Sequence, residues 1–274
     1  MTFSLGVLIA LIALPPVVLW LLFWQRQFKD KEPGCVLFQL FFFGVFSAVP
    51  LVMLREYLTT FPEQNFLSVI SSSVVLIVVL ALAEELVKGL ALIAGVEINK
   101  QWFDRLEDGF EYAVAVALGF AFAENIMYFF LLYTGTGFSL ELATTYFIRS
   151  LVTMMGHVLF TGAFGFAYAY AYLGVPKSRW ATKPWKALGL GFLDTLRAAI
   201  GMKNKKIYSS FILVAGFVLA VLLHTGFNLL WELHPNGRSL GLFTVPLIMI
   251  GVYFYAIKLK KLGAQKGNIK VKNN

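Results

Sequence analysis

The amino-acid sequence predicts an all-α membrane protein, a polytopic bundle of about seven transmembrane helices, or eight if one amphipathic segment inserts. Three observations lead there. Of the 274 residues, 59% are hydrophobic, 16% aromatic and only 14% charged, and the mean hydropathy is +0.75; water-soluble domains are nearer half apolar and a quarter charged. The apolar residues fall in runs of about 20, the length an α-helix needs to cross the hydrocarbon of a bilayer. The Lys and Arg residues are concentrated in alternate connecting segments, the pattern that orients spans, rather than along one face suited to nucleic acid. The net charge of +8 therefore does not imply a nucleic-acid partner.

In chain order the predicted spans are about 3–24, 35–56, 66–96, 107–133, 143–173, 208–231 and 241–259. The first has no basic start and no obvious small-residue cleavage site, and its positive charges follow it, so it reads as a mature span rather than a signal peptide. Connections are short except 174–207, which carries Lys177, Arg179, Lys183, Lys186, Arg197, Lys203, Lys205 and Lys206. Within it, 185–200 is apolar but broken by Asp194 and Arg197, as expected of an interfacial helix or a short eighth element. No repeat and no soluble domain are apparent. We expect one transmembrane domain over 1–274, with its polar core in about 66–232, a basic loop at 174–207 and a basic tail at 260–274.

Of 23 Lys and Arg residues, 19 follow or close the odd-numbered spans, whereas only Arg55 and Arg238 follow even-numbered ones. That asymmetry predicts a cytoplasmic C-terminus and an N-terminus outside. The single cysteine, Cys35, excludes an internal disulfide and a Cys-rich metal site.

An ionisable side chain inside a span is costly unless paired or hydrated, so each is a functional candidate. Span three contains Glu84, Glu85 and Lys88; span four, Glu124 and Asn125; span five, Arg149 and His157; span six, His224 and Asn228. At ~1.5 Å of rise per residue, Glu84 and Glu85 lie roughly 18 Å from the cytoplasmic end of their span, and Glu124, His157 and His224 roughly 24 Å. These depths are compatible with one layer. Glu84 and Lys88 are spaced i,i+4 and share a face, so they are expected to pair; Glu85 points about 100° away, toward another neighbour. His224 and Asn228 also share a face. Gly119, Gly156, Gly162 and Gly165 would let helices approach closely around the layer.

Each feature also has a plain structural reading. Glu84 with Lys88 is as readily an ion pair, and His224 with Asn228 an interhelical hydrogen-bonding device. Glu124–Asn125 reads best as a supporting clamp between helices. Arg149, nearer the outer surface, is expected to pair with an acid or snorkel. Asp108 and Glu111 are expected to be partly solvated, and His234 incidental.

Together the groups allow three uses. A glutamate can act as general base on water while His and Asn stabilise an oxyanion; Glu85, His157 and His224 can hold a zinc ion; or the set can relay protons in a transporter. No Gly-x-Ser-x-Gly elbow, no His-Glu-x-x-His helix and no Gly-rich phosphate loop occurs,. A transporter would be expected to show broken helices or a repeat between halves, and neither is evident; a non-catalytic scaffold is the remaining alternative.

In Glu84-Glu85-Leu86-Val87-Lys88, Asp108-Gly109, Gly119-Phe120-Ala121-Phe122-Ala123-Glu124-Asn125, Arg149 with Gly156-His157, and His224 with Asn228, the chain resembles PrsW-type intramembrane proteases. These belong to a wider superfamily with CAAX prenyl endopeptidases and bacteriocin-processing proteins. The resemblance covers roughly 80–230, in order and on successive spans. It implies a membrane-embedded endopeptidase of a prokaryotic cell membrane, acting on a membrane-anchored protein such as an anti-sigma factor. It implies Glu84 and Glu85 as catalytic carboxylates, His157 and His224 as catalytic or oxyanion-stabilising histidines, and Asn228 as the supporting amide. Lys88, Glu124, Asn125 and Arg149 are expected to support them. The expected scheme is a glutamate-activated water without a cofactor, zinc being the alternative.

Overall fold

A computed structural model describes residues 3–28, 31–60, 73–173 and 205–232. The chain is an all-α membrane helix bundle: α1 (Phe3–Gln25), α2 (Gly34–Thr60), α3 (Ser73–Ile98), a single 3₁₀ turn, α4 (Leu106–Thr136), α5 (Leu140–Ile148), a π-helical turn (Arg149–Thr153), α6 (Met154–Leu173) and α7 (Lys205–Glu232). Residues 66–72 of the third predicted span, 174–204 of the expected basic loop 174–207, the predicted span 241–259, the tail 260–274 and His234 lie outside the described residues.

Five of these stretches are long and apolar enough to cross a membrane: Ser4–Gln25, Gly34–Leu51, Leu106–Thr136, Leu140–Leu173 and Ser209–Trp231. Helix α3 is as long, but every 18-residue window of it contains Glu84, Glu85 and Lys88, more charge than a lipid-facing span carries. It turns those three residues inward and Leu82, Leu86 and Leu90 outward, so its charge is carried by the bundle instead of the lipid. The stretch 140–173, which corresponds to the fifth predicted span, starts three residues earlier than the expected 143 and is not one regular helix, since α5 and α6 meet at the π turn.

Local chemistry sets the helix ends. Asp108 Oδ2 accepts the backbone N–H groups of Asp104 (3.0 Å) and Arg105 (2.6 Å) and so caps α4,. Gly137, at φ +63°, closes it,. Ser139 Oγ accepts the N–H of Leu142 at 3.1 Å and starts α5,.

Helix α4 is the central post, packed on α1, α2 and α6. Its crossings depend on two positions where a side chain would not fit. At Gly119 an added Cβ would run into the Phe41 carbonyl of α2, and at Gly109 into the Gly165 carbonyl of α6. In a lipid environment such close backbone approach replaces the hydrophobic drive to associate. Just beyond the Gly119 crossing α4 presents Phe120 to Lys88 of α3 and Glu124 and Asn125 to Arg149 of the π turn.

Asp108 and Glu111, expected to be partly solvated, are instead buried, at 0% and 2% exposure. The α1–α2 connection folds over them: Glu32 donates its backbone N–H to Glu111 Oε1 (3.3 Å), and Arg105 Nη2 reaches Glu32 Oε1 (2.6 Å) and Asp108 Oδ1 (2.8 Å). Burial, opposed by Arg105, pushes the Glu32 carboxyl above the usual 4.5,.

Candidate active site

Helices α3, α4, α6 and α7 bring Glu84, Glu85, Lys88, Glu124, His157 and His224 into one contact network. Lys88, fully buried, lies three residues from Glu85 and four from Glu84, so it stands on the helix face between them. Its Nζ is 2.5 Å from Glu85 Oε1 but 4.0 Å from Glu84 Oε2. The expected Glu84–Lys88 pair is therefore the weaker of the two. Nζ also donates to His157 Nδ1 at 3.0 Å and sits 4.7 Å from the centroid of the Phe120 ring, a cation–π contact.

These contacts dictate the histidine tautomers. An ammonium group only donates, so His157 Nδ1 accepts from Lys88 and Nε2–H donates to Glu124 Oε2 at 3.1 Å. A carboxylate only accepts, so His224 Nδ1–H donates to Glu85 Oε1 at 2.8 Å. That leaves His224 Nε2 facing Glu84 Oε2 at 3.5 Å. Glu85 has a neighbour of its own in Thr161 of α6, and both carboxylates also meet His224.

Glu84 and Glu85 nevertheless stand in different positions. Glu85 is 2% exposed and takes bonds from Lys88, His224 and Thr161 Oγ1, the last at 3.2 Å. Glu84 Oε2 is buried but accepts no hydrogen bond. Glu84 lines a cavity of about 30 Å³ together with Glu124, Ala48, Leu51, Leu80, Phe120 and Met127. A water molecule needs ~10–15 Å³ of such space and polar partners, and two carboxylates supply the partners.

Glu124 is held from the other side by Arg149, whose Nη2 stands 2.7 Å from Oε2. Arg149 Nε donates to Asn125 Oδ1 at 2.8 Å, and its guanidinium lies 3.7 Å over the Tyr128 ring. Glu124–Asn125 thus clamps α4 to the π turn, and Glu124 also touches His157. With both imidazoles neutral, three carboxylates face two fixed cations, so one proton or one cation would balance the cluster.

Asn228 is half-buried one turn beyond His224 and makes no hydrogen bond with these acids or imidazoles. Two further participants carried no clear signal in the sequence. Thr161, one turn after His157, was legible only as an i,i+4 neighbour. Phe160 stacks on His224, with ring centroids 5.1 Å apart and an interplanar angle of 23°, and fixes the plane of that imidazole.

The zinc alternative drawn from the sequence used Glu85 with both histidines. Among the described residues, the donor atoms that lie within 4.8 Å of one another at this level are those of Glu84, His157 and His224. Two nitrogens and an oxygen, one of them an unbonded buried carboxylate oxygen, are a donor set that fits zinc.

Comparison with known proteins identifies the family. A profile described as "PrsW family intramembrane metalloprotease" matches residues 32–257. The chain belongs to the PrsW family. It is 32% identical over 160 residues to Protease PrsW of Clostridioides difficile (strain 630), covering 57% of this chain and 63% of that protein. It is 30% identical over 172 residues to Protease PrsW of Geobacillus kaustophilus (strain HTA426), covering 61% and 67%. Protease PrsW of Bacillus subtilis (strain 168) is 29% identical over 176 residues, covering 61% and 71%. The matched region thus spans about two thirds of the length of these relatives. No solved structure matches the chain significantly.

Proposed function

We propose that this chain is an intramembrane endopeptidase that hydrolyses a peptide bond of a membrane-anchored protein, with an anti-sigma factor or similar regulator as the substrate class. The observation that carries this reading is the buried, unbonded Glu84 Oε2 beside a water-sized cavity shared with Glu124.

Glu84 takes a proton from a water in that cavity as its oxygen attacks the scissile carbonyl. The oxyanion that forms accepts a hydrogen bond from an imidazole N–H, Nε2–H of His224 in its protonated form or Nε2–H of His157 once it turns from Glu124, with the Asn228 amide as a further donor. The proton held at Glu84 then passes to the departing amine as the C–N bond breaks. Glu85 and Lys88 do not touch the reacting atoms in this scheme; they orient His224 and His157. Glu84→Gln should leave insertion intact and lower cleavage of a co-expressed single-span substrate by roughly 10²–10⁴-fold. Unchanged cleavage would overturn the assignment.

A second reading is favoured by the Glu84, His157 and His224 cluster. Those three residues would hold a zinc ion, which when bound supplies Lewis-acid activation of water and carbonyl. Metal analysis of purified protein together with activity after chelation separates the two: stoichiometric zinc lost with activity supports the metal version, and activity retained without metal supports the glutamate scheme.

We further propose the cell membrane of a prokaryote as its location, with the N-terminus outside and the C-terminus cytoplasmic, from the distribution of Lys and Arg,. Reporter fusions at both ends test the orientation.

A further inference from the structure

The π turn poses a geometric problem whose answer involves α1. Arg149 and His157 both reach Glu124 Oε2, although they are eight residues apart. In an unbroken α-helix that spacing would leave them about 80° apart around the axis. A π turn absorbs one residue, so the pair behaves as if seven apart, within about 20° of one another. The wide turn at Arg149–Thr153 is therefore what puts both side chains on one face.

A wide turn also frees a carbonyl. Met154 N–H, which α-helical geometry would send to Ser150, bonds the Arg149 carbonyl. The Ser150 carbonyl is taken instead by Trp20 Nε1–H of α1, at 2.8 Å. Trp20 itself packs against the cluster that contains Met154, Met155 and Val158 at the start of α6. Helix α1 lies outside the family match at 32–257, so this contact is an addition to the matched core.

We propose that Trp20 is a positioning residue for the proposed reaction. By satisfying the carbonyl that the π turn releases, it holds the turn open and keeps Arg149 and His157 together on Glu124. An unsatisfied carbonyl inside a bilayer is costly, and without the indole N–H the segment gains by shifting toward an α-helical register that rotates Arg149 off Glu124. The inference rests on the peptidase reading for its activity arm only.

The test uses the full chain in lipid nanodiscs, with a pool of single-span reporters whose juxtamembrane residues are randomised. The variants are Trp20→Phe, Trp20→3-benzothienylalanine (an isostere with sulfur in place of the N–H), and each of these combined with deletion of Leu151. Leu151 is the lipid-facing residue of the turn, 49% exposed. Its deletion leaves Arg149 and His157 seven apart on an ordinary α-helix, where Ser150 regains a backbone donor. Both Trp20 variants should speed amide exchange in 150–155 and lower kcat about tenfold at unchanged KM, and both effects should vanish in the deletion background. Unchanged exchange in the Trp20 variants, or an equal loss of kcat with and without Leu151, would overturn the proposal. If wild type cleaves nothing, the peptidase reading falls, while the exchange comparison still decides the role of Trp20.

Discussion

In the middle of the bundle Glu84, Glu85 and Glu124 share their space with Lys88, Arg149 and two imidazoles. At the end where α4 begins, Glu32, Asp108 and Glu111 are buried more completely than Glu84 and Glu124 and share their space with Arg105. The end cluster spends its bonds on architecture: Asp108 caps a helix, and Glu32 and Glu111 tie the α1–α2 connection to α4. Each cluster leaves carboxylate oxygens without a hydrogen bond, Glu32 Oε2 and Glu111 Oε2 at the end and Glu84 Oε2 in the middle, but only the middle cluster sets its oxygen against an imidazole and a water-sized cavity. Buried charge alone therefore does not mark a reactive site. What distinguishes one is an imidazole and room for a water beside the unbonded acid.

The comparison is most sharply tested by exchanging the roles of the two clusters. Glu84→Gln and His157→Ala should lower cleavage by roughly 10²–10⁴-fold, whereas Arg105→Leu should leave the rate per folded molecule unchanged; a normal rate in the first pair would collapse the distinction. Glu85→Gln should differ from Glu84→Gln in stability, because it strands Lys88 in the interior. A loss of about 3–5 kcal/mol is expected, read as a fall in detergent melting temperature that Glu84→Gln does not share. Arg105→Leu belongs with Glu85→Gln on this scale, since it leaves Glu32 and Asp108 without their cation.

Arg149→Leu should sit between the classes. It removes the cation on Glu124 but not a reacting group, so roughly 10–100-fold in rate is expected, the range of groups that orient a ligand from behind. The smallest effect concerns Glu32. Its folded carboxyl titrates above 4.5 because burial outweighs Arg105. The stability it contributes is complete below pH 4.5 and is lost as pH rises through its folded value. Melting temperatures should fall across that rise in wild type and stay flatter in Glu32→Gln; an opposite slope would put Glu32 below its usual range.

Much of this arrangement was legible in the sequence because lipid penalises charge. Runs of about 20 apolar residues define the helices, and any Glu, His or Lys inside them stands out. Glu84, Glu85, His157 and His224 were selected on that basis, and the fold brings them together. Finer contacts were not legible, because they depend on helix rotation and on chain segments far apart. The spacing of Glu84 to Lys88 is as good for pairing as that of Glu85, and only the burial of one face makes Glu85 the nearer partner. Asp108 and Glu111 lie near the end of an apolar run, where solvent is the simplest expectation; the α1–α2 connection that covers them carries no local signal of doing so. The π turn is equally silent in the residues Arg149–Thr153, and its partner Trp20 is 130 positions away.

In the proposed reaction Glu84, rather than Glu85, works on water. Both glutamine variants and wild type can be reconstituted in proteoliposomes with one cleavable single-span substrate, and single-turnover rates measured at matched folded fraction. Glu84→Gln should slow the chemical step by roughly 10²–10⁴-fold while the protein melts like wild type, and Glu85→Gln should melt earlier but lose far less rate per folded molecule. A Glu84→Gln protein that cleaves at the wild-type rate would contradict that assignment.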